Sequence, residues 1–372
     1  MSVFDASREW VILLSPDAVF AKKAAEDLSR YIGLLACYNG DRPPNNRDRP
    51  PKQPAILDAH ASAPSKAVIV LSSENNAPER NGFSWRAETE RVEIFGESDR
   101  GLCNGIYSFL AALGISWPAP GQESLPSRET GDIKGLSPEG LSLEFPLTIT
   151  KAHEPSRQKK GDPGVAQLRR FIPDGRKAIN SILKNAEAFA AWAARKRYDA
   201  LVFPLAAFAS GTAGHKLKQL EQFAGEYGIS LEAGGRDLSS LVPRAYYLFH
   251  KDFFRMEEGK RKKEHHFCPT NPGTIRIIKT EGEKFFQAAV EIKVFHLWPD
   301  KGAEATWCSC PTCRAFTPSE QNRIAVNASA DVLSAVNPGA VITYYEKPEE
   351  GGSIPMRKNL LKMERLPDEG KQ

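Results

Sequence analysis

From about residue 165 onward, short apolar runs alternate with segments of helical period, and no other feature constrains the chain as tightly. Over Lys177 to Arg195, the residues Ile179, Ile182, Leu183, Ala186, Phe189, Ala190 and Ala193 share one stripe of an amphipathic helix. DALVFPL (199–205) follows as a buried strand, then a helix over Lys216 to Tyr227 with Gly228 behind it, then ISLEAGG (229–235) as a strand. Asn271-Pro272 fits an N-cap followed by an N1 proline and opens a helix carrying Ile275, Ile278, Phe285 and Phe286. EIKVFHLW (291–298) reads as a strand. Thr317-Pro318-Ser319-Glu320 has capping-box spacing, its helix is stopped by Asn337-Pro338-Gly339, and AVITYYE (340–346) is the last strand. This alternation predicts a parallel sheet with crossover helices. An open doubly wound sheet and a (β/α)-barrel both satisfy it. No Gly-rich phosphate fingerprint sits at a strand-to-helix turn, which favours the barrel. In either architecture ligands bind at the carboxyl ends of the strands.

The first 125 or so residues have a different rhythm. EWVILL (9–14), AVIVLS (67–72) and RVEIF (91–95) read as strands, and Val19, Ala24, Leu28, Ile32 and Leu35 as one helix face. A second helix spans Asp99 to Leu113, with Gly114 at its C′ position. Between them DRPPNNRDRPPKQP (41–54) is too rich in proline for a ladder or a helix and reads as an exposed loop. The expected fold class is therefore α/β: a small α+β accessory domain (1–127), a join (128–164), an incomplete (β/α)-barrel-like domain (165–348) and a polar tail (349–372).

Composition excludes several classes. With 41% hydrophobic and 26% charged residues the chain has ample material for a core, and no run approaches the roughly 18 apolar residues of a membrane span. The start, MSVFDASREW, lacks a basic stretch and a long apolar run, so a cytoplasmic location is the default expectation. A net charge of +4 gives no reason to expect a nucleic-acid partner. The most basic stretch, RMEEGKRKK (255–263), is diluted by Glu257, Glu258 and Glu264 and reads as a solvated loop.

Strand ends nominate the candidate site. HLWPD (296–300) is the densest: Asp300 lies just beyond a buried strand beside Trp298, where desolvation raises a carboxyl for general-acid work. Glu346 ends the next strand and is the candidate second carboxylate, the pair that glycoside hydrolysis requires. Trp298 and Trp307 offer faces for a sugar ring, and His296, Glu232, Arg236 and Tyr345 complete a substrate-binding set. A turn aspartate and a solvated glutamate are the competing readings of Asp300 and Glu346.

Six cysteines are unevenly placed. Cys37 and Cys103 lie in apolar helical patterns and read as core thiols. Cys308, Cys310 and Cys313 (CSCPTC) share one loop, and Cys268 precedes the preceding helix, so a parallel sheet brings both loops to one rim. Four thiolates suit a closed structural zinc site. Locally packed reduced thiols and a disulfide are the alternatives, the last disfavoured in a reducing compartment.

GESDRGLCNGIYSFLAALGISWPAPGQESLP (96–126) resembles the end of the small domain that precedes the barrel in α-glucuronidases and family 20 β-hexosaminidases. The second half is similar to the domain-of-unknown-function 4838 family, a glycoside-hydrolase-like group. That likeness rests on AGGRDLSSLVPR, FHKDFFRMEEGKR, FCPTNP, the strand ending in Asp300, CSCPTC and NPGAVITYY. The family favours Gly-Gly-His where this chain has Gly234-Gly235-Arg236. The resemblance implies a carbohydrate-active hydrolase with a retaining or substrate-assisted carboxylate mechanism. In the hexosaminidases an Asp-Glu pair follows the fourth barrel strand; here Asp300 falls near it and Lys301 replaces the glutamate. Proton donation then falls to Asp300 or to Glu304 in the following loop. About five strands are countable from Arg170 on, against eight in a closed barrel, and no buried strand is expected after Glu346. The expectation is a partial, truncated barrel, or one completed by another chain in an oligomer. The alternative is a non-catalytic, carbohydrate-binding barrel with a zinc rim.

Overall fold

The computed structural model describes residues 2–5, 8–36, 53–59, 67–74, 81–88, 90–126, 136–137, 140–145, 150–152, 168–300, 306–346 and 353–363. The chain divides into two compact units. One comprises Met1–Arg169, Asn185–Asp199 and Leu220–Ser230; the other comprises Arg170–Lys184, Ala200–Gln219 and Leu231–Gln372.

In the first unit the elements are β1 (Ser2–Asp5), β2 (Trp10–Leu14), α1 (Ala21–Ala36), β3 (Ala55–Asp58), β4 (Ala67–Ser73), β5 (Phe83–Ala87) and β6 (Arg91–Gly96). They continue with α2 (Asp99–Ala112), β7 (Leu136–Ser137), β8 (Gly140–Phe145) and β9 (Thr150–Ala152). A six-stranded sheet has the order β3-β2-β4-β6-β5-β9, and β1, β8 and β7 make a smaller one. Helix α2 starts where Ser98 Oγ accepts from Gly101 N at 3.0 Å. It ends at Gly114, whose φ of +85° takes the left-handed conformation that glycine permits. Asp99 caps α1 in turn, accepting from Phe20 N (2.6 Å) and Ala21 N (3.0 Å). That cap moves the helix start past Val19, which is 73% exposed rather than on the buried stripe. Cys103 is buried on α2, and burial pushes its thiol up to about 12. Cys37 and most of the proline-rich segment lie outside the described residues.

Next in the chain come β10 (Arg170–Phe171), α3 (Gly175–Lys184), α4 (Ala186–Arg195), β11 (Ala200–Phe203), α5 (Leu205–Ala209), α6 (Gly211–Gly225) and β12 (Ser230–Gly235). Then follow β13 (Met256–Glu257), β14 (Lys260–Arg261), α7 (Pro272–Ala288), β15 (Val294–Leu297), α8 (Pro318–Val336), β16 (Val341–Tyr345) and β17 (Leu360–Met363). The second unit carries a sheet in the sequential order β10-β11-β12-β15-β16-β17, with parallel pairing at β10–β11, β12–β15, β15–β16 and β16–β17. Sequential parallel strands joined by helices are the arrangement of a partial (β/α)-barrel.

The expected caps form. Asn271 Oδ1 accepts from Gly273 N (2.8 Å) and Thr274 N (3.3 Å). Thr317 and Glu320 close a reciprocal capping box at the start of α8. Three expectations are corrected. The helix over 177–195 is two helices, interrupted at Asn185 (φ −129°, ψ 48°), a residue that competes for backbone hydrogen bonds and favours helix ends. A buried strand does follow Glu346: Leu360 and Met363 of β17 are buried, and the strand pairs with β16. The basic stretch is a hairpin, β13–β14, rather than a solvated loop, because its arginines fold back on the chain. Arg255 is 5% exposed and donates to Glu264 O, and Arg261 donates to Phe254 O. Among the described residues no helix is long and apolar enough to cross a membrane.

Candidate active site and cysteine centre

Two glycines bring the site together. Gly234 and Gly235 end β12 at φ +105° and +127°, and a Cβ on Gly234 would lie 2.1 Å from the carbonyl oxygen of His296. Only glycine tolerates that approach. It lets Trp298 N donate to Gly235 O (2.9 Å) and Arg236 Nη1 to Pro299 O (3.2 Å). The residues following β12 and β15, Asp237 and Asp300, therefore lie at neighbouring strand ends.

Their surroundings differ. Asp237 Oδ2 accepts from Leu205 N, the first residue of α5, at 2.8 Å. Burial pushes its carboxyl above the usual range, the Leu205 amide opposes this, and the charge of Asp300 adds to it. The Asp300 side chain keeps 20% exposure and lies 3.7 Å from His265 Nδ1. Arg244 also feels Asp300: burial draws its guanidinium down while Asp300 and Glu264 act the other way. Among the described residues its buried Nη1 has no hydrogen-bond partner. Asp237 and Arg244 were not foreseen as site residues. The readable signal was an acid two positions beyond a Gly-Gly strand end.

Beneath this rim runs a buried polar chain. Arg170 Nε donates to Glu232 Oε2 (2.6 Å), which His296 Nε2 meets at 2.8 Å. His296 Nδ1 lies 2.6 Å from Thr343 Oγ1, to which Trp298 Nε1 donates at 2.9 Å. The proton positions follow from the glutamate, whose ionised carboxylate can only accept. His296 Nε2 therefore carries the hydrogen, and Nδ1 of the neutral ring accepts from Thr343, which itself accepts from Trp298. Burial lowers the pKa of His296, with Glu232 opposing, so the ring is neutral. Burial raises Glu232, but His296 and Arg170 outweigh it and hold the carboxyl below its usual range. Glu232, His296 and Trp298 are 1%, 0% and 1% exposed, which differs from the substrate-facing role expected of them. Their polar atoms are satisfied inside the sheet, where they brace the strand ends.

Glu346 is also placed differently from expectation. Its buried carboxylate is gripped by Arg323 of α8 (2.7 Å) and Lys362 of β17 (2.8 Å). Burial favours its neutral form, yet the two cations hold it below the usual carboxylate range, which unsuits it for donating a proton. Tyr345 is half-buried at the end of β16. Trp307 is 6% exposed and stacks on His266 with ring centroids 4.2 Å apart. Glu304 lies outside the described residues.

The four cysteines do converge. Cys268, Cys308, Cys310 and Cys313 are buried, with all four sulfurs within 4.8 Å of one another. Cys268 Sγ lies 3.7 Å from both Cys310 Sγ and Cys313 Sγ. Four sulfurs placed about 2.3 Å from a tetrahedral zinc would be separated by about 3.8 Å. Outer donors fit thiolates: Met256 N (3.2 Å) and Arg261 Nη1 (3.8 Å) point at Cys308 Sγ, and Thr270 Oγ1 lies 3.1 Å from Cys313 Sγ. Gln321 clamps the loop, accepting from Cys308 N and donating to the carbonyls of Cys308, Cys313 and Phe316. The four cysteines make a buried group able to hold a metal. No disulfide occurs among the described cysteines.

Comparison with solved structures follows this geometry. The chain is similar to a GH20 exo-β-N-acetylglucosaminidase from Vibrio harveyi at 12% identity, with 97% of this chain and 54% of that one covered and a TM-score of 0.48. A β-N-acetylhexosaminidase from Bacteroides fragilis matches at 13% identity, 97% and 67% coverage and a TM-score of 0.49. A GH138 enzyme targeting pectin rhamnogalacturonan II matches at 11% identity, 95% and 38% coverage and a TM-score of 0.51. The fold is glycoside-hydrolase-like. The chain spans 54%, 67% and 38% of the lengths of these structures. No known family model matches it, and no curated protein does.

Proposed function

We propose that the protein hydrolyses a glycosidic bond in a glycan or oligosaccharide, with Asp300 and Asp237 as its working carboxylates. The observation that carries this reading is the pairing of two acids at the ends of adjacent parallel strands, one raised by burial and by its neighbour. Asp300, partly exposed beside His265, is the donor to the leaving oxygen, and Asp237 is the buried acid behind it. Fold likeness to a GH138 enzyme supports a carbohydrate substrate, and the resemblance to the domain-of-unknown-function 4838 family agrees. Cys268, Cys308, Cys310 and Cys313 hold zinc as a closed structural site, since an all-sulfur set leaves no open position for substrate.

A second reading, a non-catalytic carbohydrate-binding barrel, is favoured by the commitment of Glu346 to two cations. Hydrolysis of an aryl-glycoside panel separates the two. The enzyme reading expects turnover that Asp300→Asn removes without lowering the thermal midpoint. Absence of turnover across the panel, with oligosaccharide binding retained in calorimetry, would establish the second.

A further inference from the structure

The segments that surround the four cysteines have little regular structure of their own. Between β12 and α7 the chain has three short 3-10 turns, Leu238–Leu241, Arg244–Leu248 and Lys251–Phe253, and the two-residue strands β13 and β14. Between β15 and α8 the described residues add one such turn, Cys313–Ala315. Loops this long and irregular need an external tie to hold one conformation. The ties between these two loops cluster at the cysteines. Cys268 faces Cys310 and Cys313, Met256 N donates to Cys308 Sγ, and Ser309 N and Oγ both donate to Met256 O at 2.8 Å. The His266–Trp307 stack joins residues two positions and one position from a cysteine. On the same strip of chain, His265 lies against Asp300.

We propose that the ion held by Cys268, Cys308, Cys310 and Cys313 is a clip that locks the 253–268 and 307–316 loops together, fixes the buried His266–Trp307 stack and so sets the neighbouring His265 beside Asp300. This rests on the zinc reading above and extends it: the metal orders the mouth of the carbohydrate site, while the sheet stands on its own packing. That packing is independent of sulfur. Phe203, Phe286, Phe295 and Ile342 are fully buried, and α7 and α8 are capped by their own side chains. Removing the ion leaves four thiols side by side and releases both loops at once, with the strands beneath intact.

Hydrogen exchange on the full-length protein, zinc-loaded and then stripped with a chelator, tests the clip. Metal analysis and the absorption of a cobalt(II)-substituted sample report binding separately. The expected result is about one equivalent of zinc, exchange in 253–268 and 307–316 faster by about tenfold or more after stripping, and protection of β12, β15 and β16 unchanged. Adding zinc(II) back should restore the loops. Cys310→Ser, scored on protein whose β15 and β16 amides stay protected, should reproduce the stripped pattern. Stoichiometric zinc whose removal leaves the loops unchanged, or speeds loops and sheet equally, overturns the clip while the zinc reading survives. Failure to bind zinc or cobalt overturns both, and neither outcome bears on hydrolysis, which the Asp300→Asn assay decides.

Discussion

The ends of β12 and β15 and the ends of β16 and β17 belong to one sheet, and each pair carries a carboxylate, yet the two regions treat it in opposite ways. At β16–β17, Glu346 meets two cations and is held in its charged form. At β12–β15, Asp237 meets a backbone amide and a second acid, and burial favours its neutral form. Position at a strand carboxyl end is therefore not enough to make a catalytic acid. The counter-charges decide, and they come from other elements: α8 and β17 supply Arg323 and Lys362, whereas among the described residues no cation pairs with Asp237. The first arrangement stabilises the fold; the second holds charge in discomfort, as sites of proton transfer do.

The largest expected effect that would break this contrast is on rate. Asp300→Asn should lower turnover of a responsive glycoside by about 10²–10⁴-fold, as loss of a general acid does, whereas Glu346→Gln should change it little. Equal losses in the two variants would erase the distinction. Next is Glu232→Gln, which strands the Arg170 guanidinium, 0% exposed, without its counter-ion. It should cost about 3–5 kcal/mol of stability in denaturant unfolding. Glu346→Gln should cost less, about 1–2 kcal/mol, because Lys362 is 42% exposed and can turn to water.

The smallest effect has the opposite sign. A folded pKa raised above the unfolded value stabilises only below the ordinary carboxylate range and is lost as pH rises through the folded value. Near neutral pH the fold therefore loses stability at Asp237, whose charged form burial disfavours. Asp237→Asn should unfold at higher denaturant than wild type near pH 7, by less than either loss above, with the advantage vanishing in acid. Glu346→Gln runs the other way: a lowered folded pKa contributes stability above the ordinary value, so the deficit should close as pH falls through the folded pKa.

Much of this was legible before any coordinates. Strands and helices follow from apolar period, and the Asn271-Pro272 and Thr317–Glu320 caps form as their spacing requires. The cysteine group was readable because CSCPTC and Cys268 precede consecutive helices, which a parallel sheet must place on one rim. What escaped was contact between distant segments. LLKM is a short strand flanked by polar residues and without an apolar alternation, so only its pairing with β16 marks it as a strand. Asp237 looks like any turn acid until the Gly234 approach brings it near Asp300. His296 and Trp298 carry functional side chains at a strand end, but Thr343 and Glu232, on two other strands, absorb their hydrogen bonds.

Carboxyl titration tests the contrast most directly. With ¹³C-labelled aspartate and glutamate side chains, Asp237 and Glu346 can each be followed by NMR from pH 2 to 8, using the Asn and Gln variants for assignment. The account predicts that Asp237 titrates above the ordinary aspartate value and falls toward it in Asp300→Asn, while Glu346 titrates below the ordinary glutamate value in both proteins. An Asp237 midpoint at or below the ordinary value, or one indifferent to Asp300, would contradict it.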